Sequence, residues 1–297
     1  MTEEFINDYT ITISELLSER FDDIENHSLG KVKSGVSVGF DYLDDMTQGL
    51  PKGSLIVLGG RPSMAKTTFA LNMALNVAKS QNLPICIFNL ERSKEQICDR
   101  FLSMECKIDT NRIRTGKLTK DEWQSFADGI NTIGTLPIFI ANKHINSILD
   151  MQRICQSIKE QSLEQNLGLI ILDYQRFHDY SPFMDVSKRE ENLSNLIKGL
   201  KSIAKGLNVP IILISQVDKD VEKKSNNRPF LSDLRDCDVL EFYTDIIWMI
   251  YRDVYYNLDT EDERIAEIIT YKNNNGPPGT VKLLFEPEYG IFRNLDY

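Results

Sequence analysis

Lys66, Thr67 and Thr68 stand directly behind the run GRPSMA, which itself follows the apolar stretch SLIVLG. An ammonium beside two hydroxyls, at the end of a tight turn from strand to helix, suits a polyphosphate. Backbone N–H groups and the helix N-terminus cradle its oxygens, the lysine meets the β- and γ-phosphates, and the first hydroxyl faces a divalent cation. Counted from Gly60, the spacing is that of the phosphate-loop pattern G-x-x-x-x-G-K-[ST], with Arg61, Pro62, Ser63 and Met64 as the turn and Ala65 where the second glycine belongs. Two carboxylates fit the same chemistry. Asp173 closes the run LGLIILD, a place suited to a magnesium shell, and Glu91 closes CIFNLE, where a water-activating base belongs. Taken singly, Asp173 also fits a strand-end turn and Glu91 an exposed residue opening a helix. Together with Lys66 and Thr67 they describe a nucleoside-triphosphatase site with Mg²⁺.

Such a site needs a rigid frame. Short apolar runs, SLIVLGG, PICIFNL, LPIFIA, LGLIILDY and VPIILISQ, alternate with helical patterns such as TTFALNMALNVAKS and ILDMQRICQSIKEQS. Continuous apolar runs indicate strands buried on both faces, hence an α/β fold with a mainly parallel central sheet covered by helices. After Asp245, the runs IIWMIYRD, RIAEIITYK and TVKLLFE follow closely, as in an antiparallel edge. Near the N-terminus, Phe5, Tyr9, Ile13, Leu16, Leu17 and Phe21 recur three and four apart, predicting an amphipathic helix over 3–24 and then a polar linker, DDIENHSLGKVKSG. The chain thus divides into a linker helix and flexible linker over 1–34 and one domain over 35–297. The helix's apolar stripe needs a surface, either on its own domain or on a neighbouring subunit.

With 297 residues, 41% of them hydrophobic, the chain can build a sizeable core. No window approaches 18 uninterrupted apolar residues, and the acidic start MTEEFINDYT lacks the apolar segment of a secretory signal. Cys86, Cys98, Cys106, Cys155 and Cys237 form no CxxC pair and suit buried thiols in a reducing compartment. The expectation is a cytoplasmic protein with no membrane association. A net charge of −10 opposes general wrapping of nucleic acid. The charge is uneven, however: residues 187–229 hold nine basic and five acidic side chains, a local +4 that leaves −14 on the rest. Such a zone is a solvated helix face or a nucleic-acid track.

From about Gly35 to Asn294 the chain resembles the C-terminal, RecA-like motor domain of the DnaB family of bacterial replicative helicases. GRPSMAKTTFALNMA is similar to that family's phosphate loop, and RIRTGKL, LNVPIILISQ, RPFLSDLRD, YRDVYY and NGPPGTV follow in family order and spacing. The resemblance implies a RecA-like P-loop NTPase fold, a ring of six subunits around single-stranded DNA, and an N-terminal helix that docks on the adjacent subunit. It implies Lys66 and Thr67 for nucleotide and Mg²⁺, Glu91 as catalytic base, Asp173 in the metal shell, and Gln216 as a γ-phosphate sensor coupled to DNA. Lys272 would reach the neighbour's nucleotide. Arg235 and Asp236 would fall on a loop holding strand phosphates, and residues 188–192 and 217–227, with Arg189, Lys223 and Lys224, would match the other pore loops. The basic zone overlaps these loops and favours the track. The implied partners are single-stranded DNA, further copies or a full-length helicase in a mixed ring, and a primase or loader. The helical collar that precedes this domain in the family has no counterpart in these residues.

Several positions depart from the family pattern. Ala65 replaces a glycine, and Asn274 stands where the arginine finger belongs. Arg176 replaces a glutamine, with Gln175 one place early; Asp238 replaces a glycine beside a DNA phosphate, and Asn192 a pore-loop glutamate. Three functions stay open on these residues. One is an ATP-dependent helicase that moves on single-stranded DNA and unwinds duplex during replication. Another is a catalytically weakened paralogue acting as a regulatory ring subunit. The third is a RecA-fold ATPase with another substrate, such as a recombinase-like filament.

Overall fold

A computed structural model describes residues 12–29, 34–89, 92–141, 147–162, 166–173, 189–224 and 227–295. Helix α1 runs over Ile13–Ser28. It therefore continues through the first half of the stretch expected to be linker, because Phe21 and Ile24 extend the apolar stripe. Ile13, Leu17, Phe21 and Ile24 are exposed along it, Phe21 by 69%. The expected first part of this helix, residues 3–11, lies outside the described residues.

After the short helix α2 (Asp41–Thr47), the chain alternates as its apolar runs require. The order is β1 (Leu55–Gly59), α3 (Lys66–Gln81), β2 (Ile85–Asn89), α4 (Lys94–Cys106), α5 (Thr110–Thr115), α6 (Lys120–Gly134), β3 (Ile138–Ile140), α7 (Ile148–Gln161), β4 (Leu169–Asp173), α8 (Arg189–Leu207) and β5 (Ile211–Ile214). A short helix α9 (Cys237–Tyr243) then leads into β6 (Ile246–Tyr251), β7 (Ile265–Asn273), β8 (Gly279–Glu286) and β9 (Ile291–Asn294). Helix starts follow local chemistry. Ser93 with Gln96, and Thr119 with Glu122, form reciprocal capping boxes on α4 and α6.

The nine described strands form one sheet, in the order β3-β2-β4-β5-β1-β6-β7-β8-β9. The pairings from β3 to β6 are parallel and those from β6 to β9 antiparallel. The runs IIWMIYRD, RIAEIITYK and TVKLLFE pair antiparallel, as their close spacing suggests. The first of them, β6, has all six residues buried and also lies parallel to β1, and so joins the two parts of the sheet. Its unbroken apolar run has the signature of a strand covered on both faces.

Alternate residues of each strand feed two cores. Ile56, Leu58 and Trp248 join α3 and α4 on one face, while Leu55, Val57, Ile247 and Met249 join α7, α8 and α9 on the other. Between Ile247 and Trp248 the β6–β7 register shifts by one, leaving Tyr271 as the extra residue of a bulge. As a result Tyr271 and Lys272, though adjacent, both turn toward the α9 face. The Tyr271 hydroxyl donates to the Pro229 carbonyl, and Lys272 Nζ to the Glu241 and Thr244 carbonyls, both at 2.6 Å.

Candidate active site

Strands β4, β5 and β1 are neighbours, and their register puts Asp173 level with Ile214 and Ile214 level with Leu58. The loops leaving these three strands therefore meet at one edge, where the strand order of an open α/β sheet leaves a crevice for ligands. Gly60 closes β1. A Cβ there would stand 2.8 Å from Ile250 Cγ2, so the loop can follow this path only with glycine. Two non-glycine residues of the loop sit in left-handed backbone, Ser63 at φ 65° and Ala65 at φ 68°. The family's glycine position is thus a true positive-φ position, and alanine occupies it. Among the described residues no side chain caps the N-terminus of α3.

Lys66 is buried at the start of α3, and its Nζ donates to the Gly60 carbonyl at 2.8 Å and the Arg61 carbonyl at 3.0 Å. Thr67 Oγ1 donates to Asp173 Oδ2 at 3.1 Å. One hydroxyl and one buried carboxylate brought together in this way are the oxygen donors a small hard cation takes beside a polyphosphate. Thr68 faces elsewhere: its hydroxyl accepts from Arg100 Nη1 at 2.7 Å. Pro62 and Ser63 are exposed on the turn, and Met64 is buried beneath it. The Arg61 guanidinium turns away from the loop mouth, giving Nη1 to the Val217 carbonyl and Nε and Nη2 to Glu222. Only its backbone is left facing a phosphate.

Gln216 leaves β5 at the same edge, and its carbonyl accepts from Arg235 N–H at 3.1 Å. Arg235 is exposed, and Asp236 has φ 60° at the start of α9. Together with Asp218, Ser232 and Asp238 they line a cavity of about 680 Å³. Asp238 is exposed at that wall. Arg189 opens α8, and Lys223 ends a 3-10 segment over Lys219–Lys223. Glu91, Gln175, Arg176 and Lys188 lie outside the described residues.

The basic zone is less open than its composition suggests. Lys224 pairs with Asp233 and lies 4.3 Å from the centre of the Phe230 ring. Lys201 pairs with Asp245, and Arg228 makes two hydrogen bonds of 2.6 and 2.7 Å with the buried Glu267. Pairing with Glu267 holds the Arg228 guanidinium above its ordinary pKa range.

Asn274 occupies the far end of the sheet. Its N–H donates to the Asp245 carbonyl, and Asp245 N–H donates to the Leu55 carbonyl. Residue 274 is therefore level with the first residue of β1, whereas the phosphate loop leaves after the last. Five residues of strand span roughly 16 Å at about 3.3 Å each. No side chain at 274 bridges that gap to its own phosphate loop.

Two polar residues escaped the sequence reading. Asn72, one turn beyond Thr68, is buried and ties α3 to the C-terminal hairpin, donating to the Gly290 carbonyl at 2.8 Å and accepting from Phe292 N–H at 3.0 Å. Arg252 follows β6 at the phosphate-loop edge, with its guanidinium 4.5 Å from the Phe285 ring centre, and burial lowers its pKa. An asparagine inside an apolar helix was the available signal for the first; the second lies within the quoted run YRDVYY, which did not single it out.

The profile of the DnaB-like helicase C terminal domain matches residues 35–294. The chain belongs to this family. It is 39% identical to a probable replicative DNA helicase of Trieres chinensis, over 100% of this chain and 65% of that one. To the replicative DNA helicase DnaB of Geobacillus stearothermophilus it is 37% identical, over 96% of this chain and 62% of that one. The chain thus spans less than two thirds of the length of these relatives. Among solved structures it is similar to a chain solved as an ATPase domain, with TM-score 0.89 and 31% identity, covering 97% of this chain and 100% of that one. It is also similar to a DnaB-like replicative helicase whose structure is titled for its interactions with primase, with TM-score 0.86 and 31% identity over 97% and 68% of the two chains. The family fold accounts for the sheet order and for the loops gathered at the edge of β4, β5 and β1. Among the described residues no helix is long and apolar enough to cross a membrane.

Proposed function

We propose that this chain is the motor domain of an ATP-dependent replicative DNA helicase, working in a ring of subunits on single-stranded DNA. The observation that carries this is the meeting of Lys66, Thr67, Asp173 and Gln216 at one sheet edge, with Arg235 hydrogen-bonded to the last of them through the backbone. In this reading Lys66 neutralises the β- and γ-phosphates of ATP, and the α3 N–H groups orient them. Thr67 and Asp173 would hold Mg²⁺, which when bound neutralises phosphate charge. Glu91 draws the proton from the attacking water, and Gln216 reports the γ-phosphate to the segment carrying Arg235 and Asp236.

Assembly is supported by the far-end position of Asn274, and by the Lys272 ammonium turned toward the α9 carbonyls, neither of which faces its own phosphate loop. The exposed stripe of α1 needs a neighbour too, and Trp123 and Ile130 offer an exposed apolar face on α6. Further copies, or a full-length helicase in a mixed ring, are the partners proposed, with a primase or loader acting on the assembled ring and the cytoplasm as its place. Asn274 keeps the weakened, regulatory subunit as a second reading.

The test is titration of ATP-Mg²⁺ against the wild type and Lys66→Ala. Charged hydrogen bonds of about 1.5–3 kcal/mol predict an affinity loss of roughly 10- to 100-fold. Equal affinities would remove the phosphate-loop assignment. Unwinding of a forked duplex, dependent on ATP and lost in Lys66→Ala, separates the motor from the regulatory subunit.

A further inference from the structure

The phosphate loop and the loops after β5 are laced together by contacts that catalysis itself does not use. The Gly60 carbonyl accepts from Lys66 Nζ at 2.8 Å and also from Val217 N–H at 3.3 Å. On the other side, Val217 forms an antiparallel bridge with Leu234, and Asp218 N–H donates to the Asp233 carbonyl at 2.9 Å. Residues 216–218 are thus a strap, with the phosphate loop on one edge and the Asp233–Arg235 segment on the other.

The Arg61 side chain closes this strap. Its Nη1 donates to the Val217 carbonyl at 3.1 Å, while Nε and Nη2 donate to Glu222 Oε1 at 3.0 and 2.6 Å. Glu222 belongs to the 3-10 segment Lys219–Lys223, which runs on to Lys224 and its partner Asp233. Exposure is 11% for the arginine and 42% for the glutamate, so the pair is sheltered on the loop side and open on the other. Charge-assisted bonds of this kind are stronger than those of a fully exposed ion pair.

Arg61 stands next to Gly60 in the phosphate loop, so a loop that shifts around a bound polyphosphate carries the guanidinium, and the pair it makes with Glu222, along with it. Whatever weakens the pair releases the 3-10 segment, and whatever fixes that segment strengthens the pair. Linkage makes the effect reciprocal. We propose that Glu222 is a positioning residue: acting through Arg61, it couples the phosphate loop to the 217–224 loop, so that bound single-stranded DNA and bound nucleotide change each other's affinity. This rests on the functional reading above.

The experiment measures the Kd of ATP-Mg²⁺ for the full chain, with and without a saturating oligo-dT strand, in the wild type, Glu222→Gln and Glu222→Asp. Melting temperatures check that each variant folds. In the wild type the strand should shift the Kd at least about fivefold, the lower end of ordinary coupling between sites. Glu222→Gln should bring that ratio to within about twofold of unity and leave the DNA-free Kd near the wild-type value. Glu222→Asp, which keeps the carboxylate, should retain most of the ratio even if the glutamine variant folds poorly. An unchanged ratio in Glu222→Gln overturns the inference. So does a DNA-free Kd that moves by the same factor, since Glu222 would then only shape the nucleotide site. Wild-type binding of both ligands without linkage overturns the inference and leaves the functional reading standing, whereas binding of neither overturns that reading.

Discussion

Ala65 shows how a single residue separates fold from activity. Its φ of 68° lies in the region that L-residues with a Cβ avoid, at a cost of about 1–2 kcal/mol. That strain sits in the folded chain, so Ala65→Gly should act first on stability. Glycine gives back about 0.4–1 kcal/mol through its freer unfolded state, which leaves a net gain of about 1 kcal/mol or less. For a chain of this size that is a rise in melting temperature of roughly 1–3 °C, readable by calorimetry. A fall in Tm would show that the alanine methyl makes packing contacts worth more than the strain. The loop's chemistry was legible in the sequence because lysine, threonine and the flanking strand and helix are local in the chain. The direction of Arg61 was not, since Glu222 and Val217 lie more than 150 positions away, and only the adjacency of β1 and β5 brings them close.

At the scale of elements, the strands and the helices between them follow from unbroken apolar runs and helical periodicity, and the sheet order from the family resemblance. Two things do not follow. Close spacing groups strand β6 with its antiparallel successors, as found, but does not reveal that its other edge lies parallel to β1. Net charge points the basic zone toward a nucleic-acid track because it counts cations and not their partners. Arg228 shows the difference. Its two hydrogen bonds to Glu267 join the segment before Pro229 to β7, and the glutamate is buried. Arg228→Met should therefore leave an uncompensated carboxylate in the sheet and cost about 3 kcal/mol, the lower end for a broken buried pair because the arginine is itself half exposed. Lys219→Ala, on an exposed neighbour in the same zone, should change stability by less than about 0.5 kcal/mol. Urea unfolding of both variants checks this, and equal effects would return Arg228 to the solvent-facing track.

For the whole molecule the question is what the proposed ring would gain or lose from Asn274. Residue 274 and the phosphate loop occupy opposite ends of the sheet, so in the proposed ring any charge supplied from 274 would act between subunits. Arginine fingers at such sites are worth roughly 10³–10⁵ in rate, and asparagine carries no charge to replace that. The local chemistry limits how far restoring it can go. Asn274 Nδ2 lies 3.5 Å from Asp245 Oδ1, and Asp245 already holds Lys201 and Leu55 N–H. An introduced guanidinium would divide its time between Asp245 and the neighbour's phosphate. Asn274→Arg should accordingly raise steady-state ATP turnover by less than the full range, roughly 10- to 100-fold. The gain should appear only above the assembly concentration. It should vanish when Leu17→Ser and Phe21→Ser remove the exposed stripe of α1, with sedimentation showing that the assembly has dissociated. The alternative donor is Lys272, which the β7 bulge turns toward the α9 carbonyls and holds there with two hydrogen bonds. Brisk wild-type turnover that Lys272→Ala abolishes would mean that this ammonium leaves those carbonyls for the neighbour's nucleotide and replaces the finger. Wild-type silence with rescue by Asn274→Arg would instead mark a subunit that keeps the ring's architecture and leaves turnover to a partner carrying its own arginine.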